Sequence, residues 1–194
     1  MGKHMGIELT DAVKQHLRQT GTSIKLQAKI LLQNCSDYLL LQRDEPGKEN
    51  DRKWEFPGGP FSSDQQADFL DCVIEENEDA FLYARNACQQ NLFRETRLTS
   101  IETRLRYAIG SFDRSANKPT FIVFGESNRR DVTLPLHASG TSAHRDYLWI
   151  PEQSFLQLHE TPHTGRTGGG TDVTLSPSNV MHYDEFQRFL VQRR

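Results

Sequence analysis

The string Trp54-Glu55-Phe56-Pro57-Gly58-Gly59 constrains this chain more than any other stretch. A short aromatic-bearing strand leads into a proline and two glycines, so the backbone can turn tightly and approach a ligand or a neighbouring strand closely. Taken alone, the string reads equally well as an ordinary turn. Its surroundings alternate between strand and helix patterns. Ser23 to Leu32 sets Ile24, Leu26, Ala28, Ile30 and Leu32 at a period of two, and Tyr38 to Gln42 reads as a second strand after the turn-prone Asn34-Cys35-Ser36-Asp37. Residues 44–53 are a polar loop.

Gln65 to Leu98 is rich in Ala, Leu, Glu and Gln and poor in β-branched residues, which predicts two helices divided near Glu75 to Asp79. Further strands are expected at Glu102 to Ser111, Thr120 to Gly125, Val132 to Leu136 and Tyr147 to Ile150, with a short helix from Pro151-Glu152 through Leu158. Thr10-Asp11 caps an earlier helix running to about Thr20, with Val13, Leu17 and Ile7 on its apolar stripe. Residues 159–181, with Gly168-Gly169-Gly170, read as a flexible loop, and residues 182–194 as a closing amphipathic helix. Residues 1–5 resemble a cloning remnant, and residues 6–194 read as one α/β domain without repeats or linkers.

The 194 residues are enough for one sizeable core, and 36% hydrophobic with 25% charged residues is a globular composition. A formal net charge of −3 excludes a protein that holds nucleic acid by bulk positive charge. Cys35, Cys72 and Cys88 do not make a disulfide framework, so a reducing compartment is the default. No apolar run approaches a membrane span and no h-region follows Lys3, so the expectation is a soluble, cytoplasmic protein.

Ala87-Cys88-Gln89-Gln90-Asn91-Leu92-Phe93-Arg94-Glu95-Thr96-Arg97-Leu98 resembles the helix of the Nudix box, Arg-Glu-apolar-x-Glu-Glu-x-Gly-apolar. Leu39-Leu40-Leu41-Gln42-Arg43 looks like the strand that precedes that family's Trp-x-Phe-Pro-Gly-Gly turn, and Tyr147-Leu148-Trp149-Ile150-Pro151-Glu152 is similar to its last core strand and following helix. The resemblance spans residues 24–158 and implies a Nudix-type α/β/α sandwich with a mixed, curved sheet, into which residues from about 60 to 83 insert a helical segment. It also implies a metal-dependent hydrolase of phosphoanhydrides, whose box glutamates at i, i+3 and i+4 share one helical face and hold Mg²⁺ or Mn²⁺.

At those positions this chain departs from the family. Gln90 and Asn91 stand in place of the Arg-Glu pair, Arg94 replaces the first of the paired glutamates, Glu95 alone is retained, and Arg97 replaces the glycine. The ligand face therefore carries 0 at Asn91, +1 at Arg94 and −1 at Glu95, so Mg²⁺ or Mn²⁺ would be held weakly, with Glu95 as the remaining metal ligand. Three readings follow. The catalytic power has decayed and the fold serves as a binding or assembly module. Alternatively, Arg94 grips a phosphate directly while Glu95 and Glu55 do acid-base work without required metal. In the third, Glu75, Glu76, Glu78 or Asp79 from the insertion supplies the missing ligands, against the simpler view of a solvated helix start.

On any of these readings the ligand is a small phosphorylated molecule, diphosphate-containing or nucleotide-like, beside Gly58, Gly59, Asn91 and Arg94, with Arg43 in reach of its charge. A prenyl diphosphate is an alternative substrate; the sequence does not fix the oligomeric state, a homodimer being the commonest assembly for a domain of this kind. Trp54 and Phe56 either line a pocket for a flat group or belong to the core. His159 and His163 are separated by Pro162, which argues against a zinc site, and the glycines after Gly165 lack a P-loop ending. Cys88 is expected in the core, and His144 to be a polar loop residue near a position where the family often carries a further acidic side chain.

Overall fold

The computed structural model describes residues 6–8, 11–23, 25–75, 80–113, 118–136, 143–158, 164–166 and 172–175. Among them ten strands and four α-helices follow one another, with a 3-10 turn at Gly21–Ser23 after the first helix: β1 (Gly6–Glu8), α1 (Asp11–Thr20), β2 (Gln27–Asn34), β3 (Asp37–Arg43), β4 (Trp54–Glu55), β5 (Gly58–Pro60), α2 (Ser63–Ile74), α3 (Ala80–Thr96), β6 (Thr103–Asp113), β7 (Lys118–Ser127), β8 (His144–Pro151), α4 (Glu152–Phe155), β9 (Thr164–Arg166) and β10 (Asp172–Thr174). The first eight strands form one sheet in the order β1-β6-β7-β2-β3-β4, with β5 also beside β2 and β8 beside β3. β1 runs parallel to β6 and β2 parallel to β7, while the other pairs are antiparallel, so the sheet is mixed.

Alternation along the strands divides the core between two faces. Ala28, Ile30, Leu39, Leu41, Phe121 and Val123 point to one face, where they pack against Leu17 of α1, Phe69 of α2 and Leu92 of α3. Leu31, Tyr38, Leu40, Ile122 and Phe124 point to the other, against Phe155, Leu158, Val173 and Leu175. The architecture is the expected α/β sandwich with a mixed sheet, helices on one side and α4 with the β9–β10 hairpin on the other.

The helices begin and end for identifiable reasons. Helix α2 opens on a capping box, in which the Ser62 side chain accepts from the Gln65 N–H and the Gln65 side chain accepts from the Ser62 N–H. Its buried side, with Phe69, Leu70 and Val73, faces the core beside α3. α3 buries Ala80, Phe81, Ala84, Ala87, Cys88, Asn91 and Leu92, a stripe at three- and four-residue steps. It ends at Arg97, whose φ of 60° is the left-handed conformation in which helices commonly terminate. The glycine of the resembled motif is thus replaced without loss of its backbone shape. The Arg97 N–H donates to the Phe93 carbonyl at 2.9 Å, and its guanidinium lies 5.3 Å from the centre of the Phe93 ring. The ring contact offsets part of the roughly 1 kcal/mol that a side chain pays in this conformation.

Three expectations are corrected. Val132 to Leu136 forms no strand: Val132 is buried and the Thr133 N–H donates to the Thr96 carbonyl at 3.1 Å, so the segment lies over the end of α3 instead of joining the sheet. Residues 159–181 are not loop throughout, because β9 and β10 pair antiparallel and bring Val173 and Leu175 into the core. Ile7 belongs to a strand, not to the stripe of α1. The expected C-terminal helix, His159, Glu160, His163, the triple glycine and Glu76 to Asp79 lie outside the described residues. Glu75, at the end of α2, is exposed.

The Trp54–Gly59 string explains how the sheet opens. β2 and β3 pair only where Gln33 and Asn34 meet Tyr38 and Asp37. Beyond that hairpin the string fills the divide, pairing first with β3 at Leu41 and Gln42, then with β2 at Lys29, Ala28 and Gln27. The Ile30 N–H donates to the Pro57 carbonyl at 2.7 Å where the chain changes partners. Gly58 has a φ of 150°, and a Cβ there would overlap the Ala28 carbonyl oxygen and sit 2.9 Å from the Lys29 Cα. Gly58→Ala is therefore expected to cost at least about 3 kcal/mol, read as a lower urea midpoint. A midpoint within about 1 kcal/mol of the parent would contradict this packing.

Candidate functional site

Two layers of side chains meet at the Gly58–Gly59 turn. The outer layer comes from α3. Asn91 and Arg94 are one helical turn apart, and the Arg94 Nη2 donates to the Asn91 Oδ1 at 2.7 Å. The Asn91 Nδ2 donates to the Pro60 carbonyl at 3.2 Å, which ties the pair to β5. The guanidinium lies over Gly59: a Cβ on that glycine would come within 3.0 Å of Arg94 Nη2 and 3.2 Å of Asn91 Oδ1. Asn91 is buried, whereas Arg94 is exposed and presents its charge outward. Glu95, next along the helix, accepts the Gly58 N–H at 2.7 Å. Part of Glu95 reaches the surface, but its carboxyl end is enclosed, and that burial pushes the carboxyl above its ordinary value. The charges of His144 and Lys29 and the Gly58 bond pull the other way, while the Glu55 charge adds to the rise.

The inner layer is a buried charge cluster centred on Glu55. Its Oε2 lies 3.0 Å from the Lys29 Nζ, and its Oε1 lies 2.9 Å from both the Arg43 Nε and the His144 Nε2. Lys29 comes from β2, Arg43 from β3 and His144 from β8, so the carboxylate joins three strands to the turn. The Lys29 ammonium also reaches the Phe56 carbonyl at 3.4 Å. Burial alone would raise the Glu55 carboxyl. The Lys29 ammonium, the His144 hydrogen bond and the Arg43 charge overturn that and hold it well below the usual carboxylate range. Arg43 also binds Glu45 at 2.8 Å, so its positive charge is already shared between two carboxylates.

Of the residues singled out from the sequence, Gly58, Gly59, Asn91, Arg94 and Glu95 come together. Glu55 lies beneath them, with Arg43 bound to it. A carboxylate so strongly held in its ionised form is a poor proton acceptor. Trp54 and Phe56 are core residues in the cluster with Phe155. Cys88 is fully buried on α3, where burial pushes its thiol up. His144 corrects the expectation of a loop histidine: it is the first residue of β8, buried, and paired in register with Arg43. Lys29 was not a candidate at all. Its one sequence signal is a charge inside an otherwise apolar strand run, Ala28-Lys29-Ile30-Leu31-Leu32.

These donors do not suit a divalent metal. Hard cations need several oxygen ligands. Here Glu95 is bonded to a backbone N–H, Glu55 is neutralised by the chain's own cations, and Arg94 occupies the helix face beside them. Among the described residues no group of three or more His, Cys, Asp or Glu side chains is placed to hold a metal ion.

The Glu55 cluster has a direct pH signature. The folded Glu55 carboxyl sits below its unfolded value of about 4.3, so its contribution is complete above that pH and is lost as pH falls toward the folded value. Glu95, shifted the other way, works in the opposite sense and largely cancels when two proteins sharing it are compared. Glu55→Gln is expected to cost about 3–5 kcal/mol at pH 7, because it leaves Lys29 buried without its counter-charge. The gap from the parent should shrink as urea titrations move from pH 6 to pH 3. A pH-independent gap would rule out an ionised Glu55 as the source.

No family model matches the sequence, and no curated protein matches it. Solved structures do match over most of the chain. The Nudix hydrolase RenU from M. smegmatis aligns over 86% of this chain and 85% of its own, at 11% identity and a TM-score of 0.54. The NUDIX domain of Shewanella oneidensis NrtR, solved with ADP ribose, covers 93% of this chain and 99% of its own, at 14% identity and a TM-score of 0.52. A C. elegans Ap4A hydrolase covers 86% of this chain and 98% of its own, at 15% identity and a TM-score of 0.51. At these identities the likeness is one of architecture: the chain has the fold of the Nudix hydrolases.

Proposed function

We propose that this protein binds a diphosphate-containing, nucleotide-like small molecule at the Gly58–Gly59 turn, with Arg94 as its direct anion contact and with weakened or altered phosphoanhydride hydrolysis. One observation carries the reading. The helix face that lies on the turn presents Asn91 and an exposed Arg94, bonded to each other, beside a single enclosed Glu95. A guanidinium above a glycine backbone suits a phosphoryl oxygen, since its planar fork can make paired charge-assisted hydrogen bonds. Glu95, with its carboxyl raised by burial, is the better of the two glutamates for proton transfer, and Glu55 holds the turn in position. The structural neighbours add support of a general kind, one being named as an Ap4A hydrolase and another having been solved with ADP ribose.

A second reading is a binding module without turnover. It is favoured by the committed state of Glu55, which leaves one carboxylate near the turn where the resembled box places several. The same experiment separates the two. ADP ribose, dinucleotides, nucleoside triphosphates and a prenyl diphosphate are assayed for binding by calorimetry and for phosphate or nucleotide release, with Mg²⁺, Mn²⁺ or EDTA. Arg94→Ala should weaken binding of at least one diphosphate by roughly ten- to a hundred-fold, the worth of a charged hydrogen bond. Turnover that persists in EDTA and disappears in Glu95→Gln supports altered chemistry, while binding without turnover supports the module. Rapid turnover that requires Mg²⁺ would overturn both.

A further inference from the structure

The charge balance around the turn sets which anions it can accept. Lys29 and Arg43 face Glu55, and Arg43 with Lys48 faces Glu45, so the inner cations are already matched by carboxylates. Glu95 adds a further carboxyl at the turn, bonded to the Gly58 N–H. Arg94 alone on this face of α3 brings a cation whose bonded partner, Asn91, is neutral. Among the described residues no carboxylate lies within ion-pair distance of its guanidinium. From the matched inner layer and the single outward guanidinium we infer that the site selects anions of low charge. It takes a single phosphate ester or an internal diphosphate bridging two groups, directly on Arg94 and without a divalent cation, in preference to terminal polyphosphates.

The inference rests on the reading of Arg94 as the anion contact and adds a selectivity to it. A phosphate monoester carries about −1.5 to −2 near neutral pH, and each added phosphoryl group adds roughly one further negative charge. One guanidinium can pair bidentately with one phosphoryl group. The surplus charge of a longer chain would then lie beside the Glu95 carboxyl or remain in water, where it gains nothing from the protein. A site that neutralised phosphate with bound metal would show the reverse order, since each further phosphoryl oxygen would add a ligand.

The test is calorimetry of AMP, ADP, ATP and ADP ribose, which share one adenosine, against the whole chain in EDTA and again in Mg²⁺, with Arg94→Ala and Arg94→Lys alongside. Arg94 is exposed, and a thermal melt of each variant verifies that it is folded. The expected result is that AMP and ADP ribose bind at least as tightly as ATP, that EDTA changes no affinity by more than about threefold, and that Arg94→Ala weakens every ligand by about tenfold or more while Arg94→Lys restores part of the loss. An affinity that climbs about tenfold per added phosphate, or that needs Mg²⁺, while Arg94→Ala still weakens binding, overturns the selectivity and leaves Arg94 as the contact. No binding by any of the four, or binding indifferent to Arg94, overturns the contact itself and the selectivity with it.

Discussion

Glu55 is held below the surface by a lysine, an arginine and a histidine that arrive from three different strands. A charge taken out of water is costly, and a cluster of this kind is tolerable only when every member is satisfied by its neighbours. The geometry therefore specifies position more than it supplies stability. It locks the Trp54–Gly59 string to β2, β3 and β8 at the point where the sheet divides, and so fixes where the Gly58 N–H and the Gly59 backbone face α3. A loosening at Lys29 or His144 would be felt at the turn without either residue touching a ligand.

Above that frame, local side-chain contacts hold the end of α3. Arg97 adopts the left-handed φ of a helix-ending glycine, with its guanidinium stacked on Phe93. Asn91 and Arg94 share one helical face, where Arg94 donates to Asn91 and Asn91 donates to the Pro60 carbonyl. The strand and the helix are joined there by the Gly58 N–H, which donates to Glu95. Solved structures match the fold at 11–15% identity, whereas no family model matches the sequence.

Helix α2 extends the core on the helical side of the sheet. It enters directly after β5, begins with its own capping box and buries Phe69, Leu70 and Val73 beside α3. The segment thus carries its own start signal and its own apolar face.

The amino-acid sequence alone determined the alternation of strands and helices, the division of the helical stretch near Glu75 and the close approach that the backbone makes at Gly58, because each depends on local periodicity or on backbone freedom. It also placed Asn91, Arg94 and Glu95 on one helical face, since that follows from their spacing. What only the tertiary structure decided is which charges meet. Lys29, Arg43, Glu55 and His144 are separated by up to 115 positions and converge because β2, β3 and β8 lie side by side with the turn between them. The same holds for Val132 to Leu136, whose alternation suits a strand but whose Thr133 N–H found a carbonyl at the end of α3. Periodicity describes a segment's own faces; the partner across from it, and so the state of each buried charge, exists only once distant segments have packed together.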